Sequence, residues 1–276
     1  MIRILHLSDP HFGAADPEIA ASFLARAAEM APDSTILSGD LTMRARRDEL
    51  SRARDFVEAL PQPRLVIPGN HDIPLMNQPF DRFFRSFSRY QEFINPVLEP
   101  EWSADGIHIV SLNSTRPFGF HPDWSEGRLS MQQLAQMEAQ FANGPAGQCR
   151  LLVLHHPLLE LEIRGRQVVK PLKKLLESIE RARVDVVLCG HFHRSQILAI
   201  GLTDHWRAVI SQAPTVCSTR LQGEPQGFHE ITWDRDLLHV VQHVFEGGKF
   251  LPMSDHAFVR RDAGWHDASG TSPALR

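Results

Sequence analysis

The chain predicts an α/β domain with largely parallel strands. Two observations predict it. Short, nearly continuous apolar runs alternate with segments of helical period, and five polar motifs each follow one of the runs. Continuous runs are expected of strands covered on both faces. Regular alternation of strand and helix favours parallel pairing. In such folds ligands gather beyond the carboxyl ends of the strands, and the motifs fall there.

In order, residues 2–7 read as a strand, 17–30 as a helix, 35–37 as a strand, 46–60 as a helix and 65–67 as a strand. Residues 79–96 carry Phe80, Phe83, Phe84, Phe87, Tyr90 and Phe93 at spacings of three and four. That spacing predicts one helical face packed on the core; the alternative is a pocket wall on which a base or acyl chain stacks. A strand at 107–112, a helix at 130–141, a strand at 151–154, a helix at 169–183 and a strand at 184–188 follow. Past Gly190 the pattern is β: strands are expected at 196–200, 206–212, 227–233 and 237–245, the last two joined by a hairpin around Asp234 to Asp236. These strands are expected to complete a second sheet. The expected domain is single and spans 1–252. Residues 253–276 read as a tail, loosely ordered or in contact with a second subunit of a homodimer.

Composition narrows the class only a little. At 276 residues the chain can bury a large core, alone or with an appended cap. A formal net charge of −4 offers no global basic footprint, so nucleic acid is not an expected partner. Cys149, Cys189 and Cys217 are odd in number and widely spaced, which implies no disulfide framework. The chain enters its first strand at once, without a secretory leader pattern, and no run reaches membrane-spanning length. A cytoplasmic protein is the expectation.

The motifs are Asp9-Pro10-His11, Gly39-Asp40, Gly69-Asn70-His71-Asp72, His155-His156 and Gly190-His191-Phe192-His193. They offer enough carboxylate, amide and imidazole ligands for two metal ions. Asp9 and His11 are two apart, so an extended segment would point them the same way, and His191 and His193 repeat the spacing. The Asp40 carboxylate has two oxygens and can bridge two ions. Asn70 adds a neutral amide oxygen. With no cysteine in the set, the donors suit Mn²⁺, Fe, Zn²⁺, Co²⁺ or Ni²⁺. Two such ions clamp a phosphate and generate hydroxide near neutral pH. Taken singly, Asp9 before Pro10 and Gly69-Asn70 are ordinary turn residues. His6, His108, His205, His229, His239 and His243 match no motif and read as surface or satisfied core histidines.

This ordered set, D-x-H, G-D, G-N-H-[DE], H and G-H-x-H over roughly residues 1 to 195, resembles the calcineurin-like metallophosphoesterase family. The resemblance implies a four-layer α/β/β/α sandwich of two mixed sheets. It implies one ion on Asp9, His11, Asp40 and His193, and another on Asp40, Asn70, His155 and His191, with Mn or an Fe/Mn pair foremost. It also implies that His71 serves as a general acid or transition-state hydrogen-bond donor. His156 is left as a residue supporting the ligands from behind.

The resulting expectation is hydrolysis of a small phosphodiester by attack of a metal-generated hydroxide. The look is closest to the bacterial class III cyclic-nucleotide phosphodiesterases. Alternatives are a phosphomonoesterase, a lipid pyrophosphate or glycerophosphodiester hydrolase, or a nuclease of the same family; a metal-free binding scaffold is the remaining contrast. Substrate contacts must come from between the motifs. Arg44 stands out in an arginine-rich stretch beside Asp40, although a solvated helix face explains most of those arginines. Asn113 and Arg116, after the strand at 107–112, are candidates for a pocket wall.

Overall fold

The computed structural model describes residues 1–104, 106–117, 126–159, 168–201 and 205–268. Strands β1 (Ile2–Leu7), β2 (Ser34–Leu37) and β3 (Arg64–Val66) are separated by helices α1 (Pro17–Met30) and α2 (Arg47–Ala59). Two short helices, α3 (Pro79–Phe84) and α4 (Ser88–Phe93), precede the strands β4 (Glu101–Ala104) and β5 (Ile107–Ser111). Then come α5 (Met131–Asn143), β6 (Cys149–Val153), α6 (Leu172–Ala182) and β7 (Val186–Cys189). The remainder is β8 (Gln196–Ile200), β9 (Ala208–Gln212), β10 (Gly227–Asp234), β11 (Leu237–Glu246), β12 (Lys249–Arg261) and β13 (Gly264–Asp267).

The strands form two mixed sheets, in the orders β13-β12-β11-β10-β1-β2-β3 and β4-β5-β6-β7-β9-β8. Strands β1, β2 and β3 run parallel, as do β5, β6, β7 and β9. Three apolar clusters mark the layers. Leu5 and Leu7 pack with Phe23 of α1 and Phe56 of α2 on the outer side of the first sheet. Ile4, Ile36, Leu151 and Val186 meet between the sheets. Leu152 and Val187 pack against Phe141 of α5 and Ile179 of α6. The architecture is therefore a four-layer α/β/β/α sandwich. Neighbouring residues on one strand, such as Ile4 and Leu5 or Val186 and Val187, enter different clusters. Both faces are buried, and the apolar runs are continuous for that reason.

Local signals set the helix starts. Asp16 caps α1, its Oδ1 accepting from Glu18 N at 2.9 Å and Ile19 N at 3.3 Å, with Pro17 in the first helical position. Ser130 and Gln133 form a reciprocal capping box at α5.

Three expectations are corrected. Strands β10 and β11 do not join the second sheet; β10 pairs antiparallel with β1 and extends the first. The supposed tail beyond 252 is largely sheet: β12 forms a long ladder with β11, and Phe258 and Trp265 are buried between the sheets. The phenylalanine-rich stretch is not one core-facing helix. It breaks between α3 and α4, leaving Phe80 60%, Phe83 40% and Phe84 76% exposed. The buried members there include Arg82, bonded to Pro74 O at 2.6 Å, and Tyr90, whose hydroxyl donates to Val66 O at 3.1 Å.

Candidate metal centre

The motifs follow β1 (Asp9, His11), β2 (Asp40), β3 (Asn70, His71), β6 (His155, His156) and β7 (His191, His193). Five of these residues have left-handed backbone: Asp9 (φ 54°), His11 (50°), Asp40 (52°), His191 (72°) and His193 (54°). Asp9 and His11 thus do not share a side of an extended segment, as their spacing predicts; a strained turn brings them together instead. Each such residue costs roughly 1–3 kcal/mol and persists only where its surroundings over-determine it. Here they do. Asp9 N donates to Gly39 O (3.0 Å), His11 N to Asp40 O (3.1 Å), Gly190 N to His155 O (2.9 Å) and His191 N to Asp9 Oδ2 (2.9 Å). Gly190 permits the closest approach, since a Cβ there would lie 1.9 Å from Ser8 Oγ and 2.4 Å from Asp9 Oδ2.

Second contacts aim the imidazoles. His11 Nδ1 lies 3.1 Å from Thr42 O, His155 Nδ1 2.8 Å from Ser38 O, and His193 Nδ1 2.7 Å from Arg220 O. A carbonyl can only accept, so Nδ1 carries the proton in each ring, and in the neutral ring Nε2 presents a lone pair. Those Nε2 atoms converge. His11 Nε2 and His193 Nε2 are 2.9 Å apart, with Asp9 Oδ1 3.6 and 3.3 Å from them. Two facing lone pairs and a buried carboxylate oxygen that accepts no hydrogen bond repel one another unless a cation lies among them. The donor set fits a metal ion, and the backbone carbonyls orient it as metal-site histidines require.

A second cluster adjoins the first. His155 Nε2 lies 3.4 Å from Asp40 Oδ2, 3.2 Å from Asn70 Oδ1 and 3.3 Å from His191 Nδ1. Asp40 Oδ2 is also 3.6 Å from His11 Nε2. One carboxylate oxygen therefore faces both clusters. The groups Asp9–His11–His193 and Asp9–Asp40–His155 each place ligand atoms close enough for one ion. His156 joins His155 and His191 in a third such group, with its Nδ1 2.8 Å from Ser114 Oγ.

Electrostatics has the same sense. Burial alone would raise the Asp9 and Asp40 carboxyls, yet the imidazoles around them hold both well below the usual range. Burial opposes charge on His155, but Asp40 and Asp9 push it up to about 9. The site demands positive charge at His155, which a proton or a metal ion supplies. Beneath it, Asp72 accepts from Leu41 N (3.1 Å), Thr42 N (2.8 Å) and Gly69 N (2.8 Å), tying the second motif to the third. Burial and the nearby Asp40 push Asp72 up to about 7.

His71 stands at the edge of the centre. Its backbone N donates to Asp40 Oδ1 (2.8 Å), its Nδ1 lies 2.8 Å from Met43 O, and its ring meets His11 edge-on at 4.9 Å. The remaining sequence candidates separate. Arg44 is exposed, and its side chain makes no hydrogen bond or ion pair with another described residue. Arg116 bonds Arg128 O (3.0 Å) and Gln133 Oε1 (2.8 Å), while Asn113 Oδ1 accepts from Thr115 N (3.0 Å). Asn113 braces its own loop and Arg116 ties that loop to α5, and among the described residues no hydrogen bond or ion pair joins either side chain to the clusters. Residues 213–220, beyond the carboxyl end of β9, escaped the motif reading. Thr215 Oγ1 donates to Asp9 O at 2.6 Å, and Arg220 O holds His193. The available signal was position alone, a loop after a parallel strand.

A two-sheet sandwich with carboxylates and imidazoles converging at strand ends defines a class of metal-assisted hydrolases. The chain belongs to the calcineurin-like phosphoesterase family, whose model matches residues 2–195, and is a phosphoric ester hydrolase. A probable cyclic nucleotide phosphodiesterase of Synechococcus sp. is 31% identical over 188 residues, 67% of each chain. A probable cyclic nucleotide phosphodiesterase of Rhodococcus erythropolis is 27% identical, over 70% of this chain and 65% of its own length. A probable glycerophosphodiester phosphodiesterase of Arcobacter nitrofigilis is 30% identical, over 59% of this chain and 57% of its own. Among solved structures, the yellow lupin purple acid phosphatase PPD1 superposes with a TM-score of 0.65 at 12% identity, covering 91% of this chain and 52% of that one. That likeness concerns the fold. No helix among the described residues is long and apolar enough to cross a membrane.

Proposed function

We propose that the chain hydrolyses a small phosphodiester, a cyclic nucleotide first, at a two-cation centre. Asp9, His11, Asp40 and His193 would hold one ion, and Asp40, Asn70, His155 and His191 the other. The observation that carries this reading is Asp40 Oδ2, which lies 3.6 Å from His11 Nε2 and 3.4 Å from His155 Nε2. When bound, the ion pair supplies Lewis acidity toward the phosphoryl oxygens and activates water near neutral pH. Mn²⁺ or an Fe/Mn pair suits the oxygen and imidazole donors.

The protein's own residues do the rest. Strained loops locked to one another hold the ligands at fixed spacing, so little reorganisation accompanies reaction. His71 faces the leaving group. With Nδ1–H directed to Met43 O, its Nε2 is the atom that moves a proton, and it donates when the ring is protonated. Arg44, exposed beside the centre, would draw in the anionic substrate. The relatives' names support the diester reading: they are called cyclic nucleotide and glycerophosphodiester phosphodiesterases.

The test is a Mn²⁺-supplemented panel of bis(p-nitrophenyl) phosphate, p-nitrophenyl phosphate, 3′,5′- and 2′,3′-cyclic nucleotides, glycerophosphodiesters and single-stranded DNA. Turnover of cyclic nucleotides above the other substrates is expected. Turnover confined to the monoester overturns the diesterase reading.

A further inference from the structure

We infer that the Arg220 guanidinium binds an anionic oxygen of the substrate at the rim of the metal centre, an inference that rests on the two-cation reading above. The loop that carries it is fastened to the first motif. Val216 N donates to Ser8 O (3.0 Å), Thr215 Oγ1 to Asp9 O (2.6 Å), Asp16 N to Cys217 O (2.8 Å) and Thr219 N to Ala14 O (2.8 Å). Arg220 N in turn donates to Ser218 Oγ at 3.2 Å. The backbone of Arg220 is therefore a fixed part of the site.

Its backbone carbonyl touches one histidine of the centre, and its side chain touches the residue that holds another. The Arg220 carbonyl accepts from His193 Nδ1 at 2.7 Å. The side chain reaches across to Met43, with Nη1 3.6 Å from Sδ, and the Met43 carbonyl holds His71 Nδ1 at 2.8 Å. Arg220 thus runs from His193, at its carbonyl, to Met43, at its guanidinium, and Met43 in turn holds His71.

It does so without a carboxylate. A guanidinium has five N–H donors, and a thioether is a weak acceptor. Among the described residues, Met43 Sδ is the only partner of the Arg220 side chain. Arg194, 4.0 Å from Glu224, and Arg47, 2.8 Å from Glu92, are matched, and Arg44, which is not, is exposed. A half-buried, positioned guanidinium with unused donors beside a phosphoester site suits a non-bridging phosphoryl oxygen. The bland reading is that Arg220 only braces the loop through Met43. Substitution separates the two, because the carbonyl that holds His193 belongs to the backbone and survives a change of side chain.

The experiment uses the full chain loaded with Mn²⁺, as wild type, Arg220→Gln and Arg220→Lys. Inorganic phosphate binding is measured by calorimetry and bound Mn²⁺ by elemental analysis, alongside kcat and KM for bis(p-nitrophenyl) phosphate. Expected for Arg220→Gln are unchanged Mn²⁺ content and a phosphate Kd raised about tenfold to hundredfold, the loss of one charge-assisted hydrogen bond. KM should rise in parallel, and Arg220→Lys should fall between. An unchanged phosphate Kd in Arg220→Gln overturns the inference, and so does loss of Mn²⁺, which would make the side chain a brace for His193. Failure of the Mn²⁺-loaded wild type to bind phosphate overturns the two-cation reading and this inference with it.

Discussion

The Asp40 carboxylate is divided between two tasks. Oδ1 accepts the backbone N–H of His71, and Oδ2 faces His11 on one side and His155 on the other. Replacing it by Ala removes the oxygen that faces His11 and His155 together. Asp40→Ala is expected to retain at most one Mn²⁺ per chain and to lose turnover by at least about a thousandfold. His71→Ala removes the imidazole proposed to move the proton but none of the proposed ligands, so two Mn²⁺ should remain while kcat falls by about 10² to 10⁴. Elemental analysis alongside turnover checks the pair; loss of metal from His71→Ala would show that His71 is a ligand. At this scale the residues that cluster were legible in the sequence, because each motif closely follows a strand. Arg220 was not legible. Its role depends on where β9 ends and on a carbonyl that any residue type could supply.

Among the elements, β12 and β13 carry more than their composition suggests. Trp265 is fully buried between the sheets, and its Nε1 donates to Asp185 Oδ1 at 2.9 Å, beside Arg260 Nη2 on the same oxygen at 2.5 Å. Trp265→Ala is expected to cost about 3–5 kcal/mol and to lower Tm by roughly 5–10 °C. An unchanged melting curve would show that this end is dispensable, as a tail would be. The strand hid from sequence reading for a physical reason. Pro252 lacks an N–H and signals a strand end, but the register shifts between Gln242 and His243 opposite it, and the bulge absorbs the proline. Strands such as β6 and β7 were readable because both faces are apolar. Which sheet β10 joins was not, since its pairing with β1 spans most of the chain and leaves no local trace.

For the molecule as a whole, the middle layer is not wholly apolar. Between the sheets His6 Nδ1 lies 2.9 Å from Ser211 Oγ and its Nε2 3.0 Å from Ser38 Oγ, while His229 Nδ1 lies 2.8 Å from Ser211 Oγ and its Nε2 2.9 Å from Ser195 Oγ. These are the satisfied core histidines that their lack of motif implied. Burial pushes His6 down to about 3 and His229 well below its ordinary range. Their folded pKa values lie below the unfolded value near 6.5. Below that pH the unfolded chain takes up protons that the folded chain refuses, so stability is complete above about pH 6.5 and declines as pH falls. The decline is about 1.4 kcal/mol per pH unit for each histidine, continuing for His6 to about pH 3. Urea titrations of the metal-free chain between pH 7 and 4 check this; a midpoint independent of pH would contradict it.

The first sheet takes β1 to β3 from the start of the chain and β10 to β13 from its end. The edge of β1 that β10 covers consequently stays bare on the ribosome until Gly227–Asp234 has emerged. An unpaired strand edge invites pairing with other chains. Until then β1 has β2 on one edge and no partner on the other, and that open edge can take up the same strand of a neighbouring growing chain.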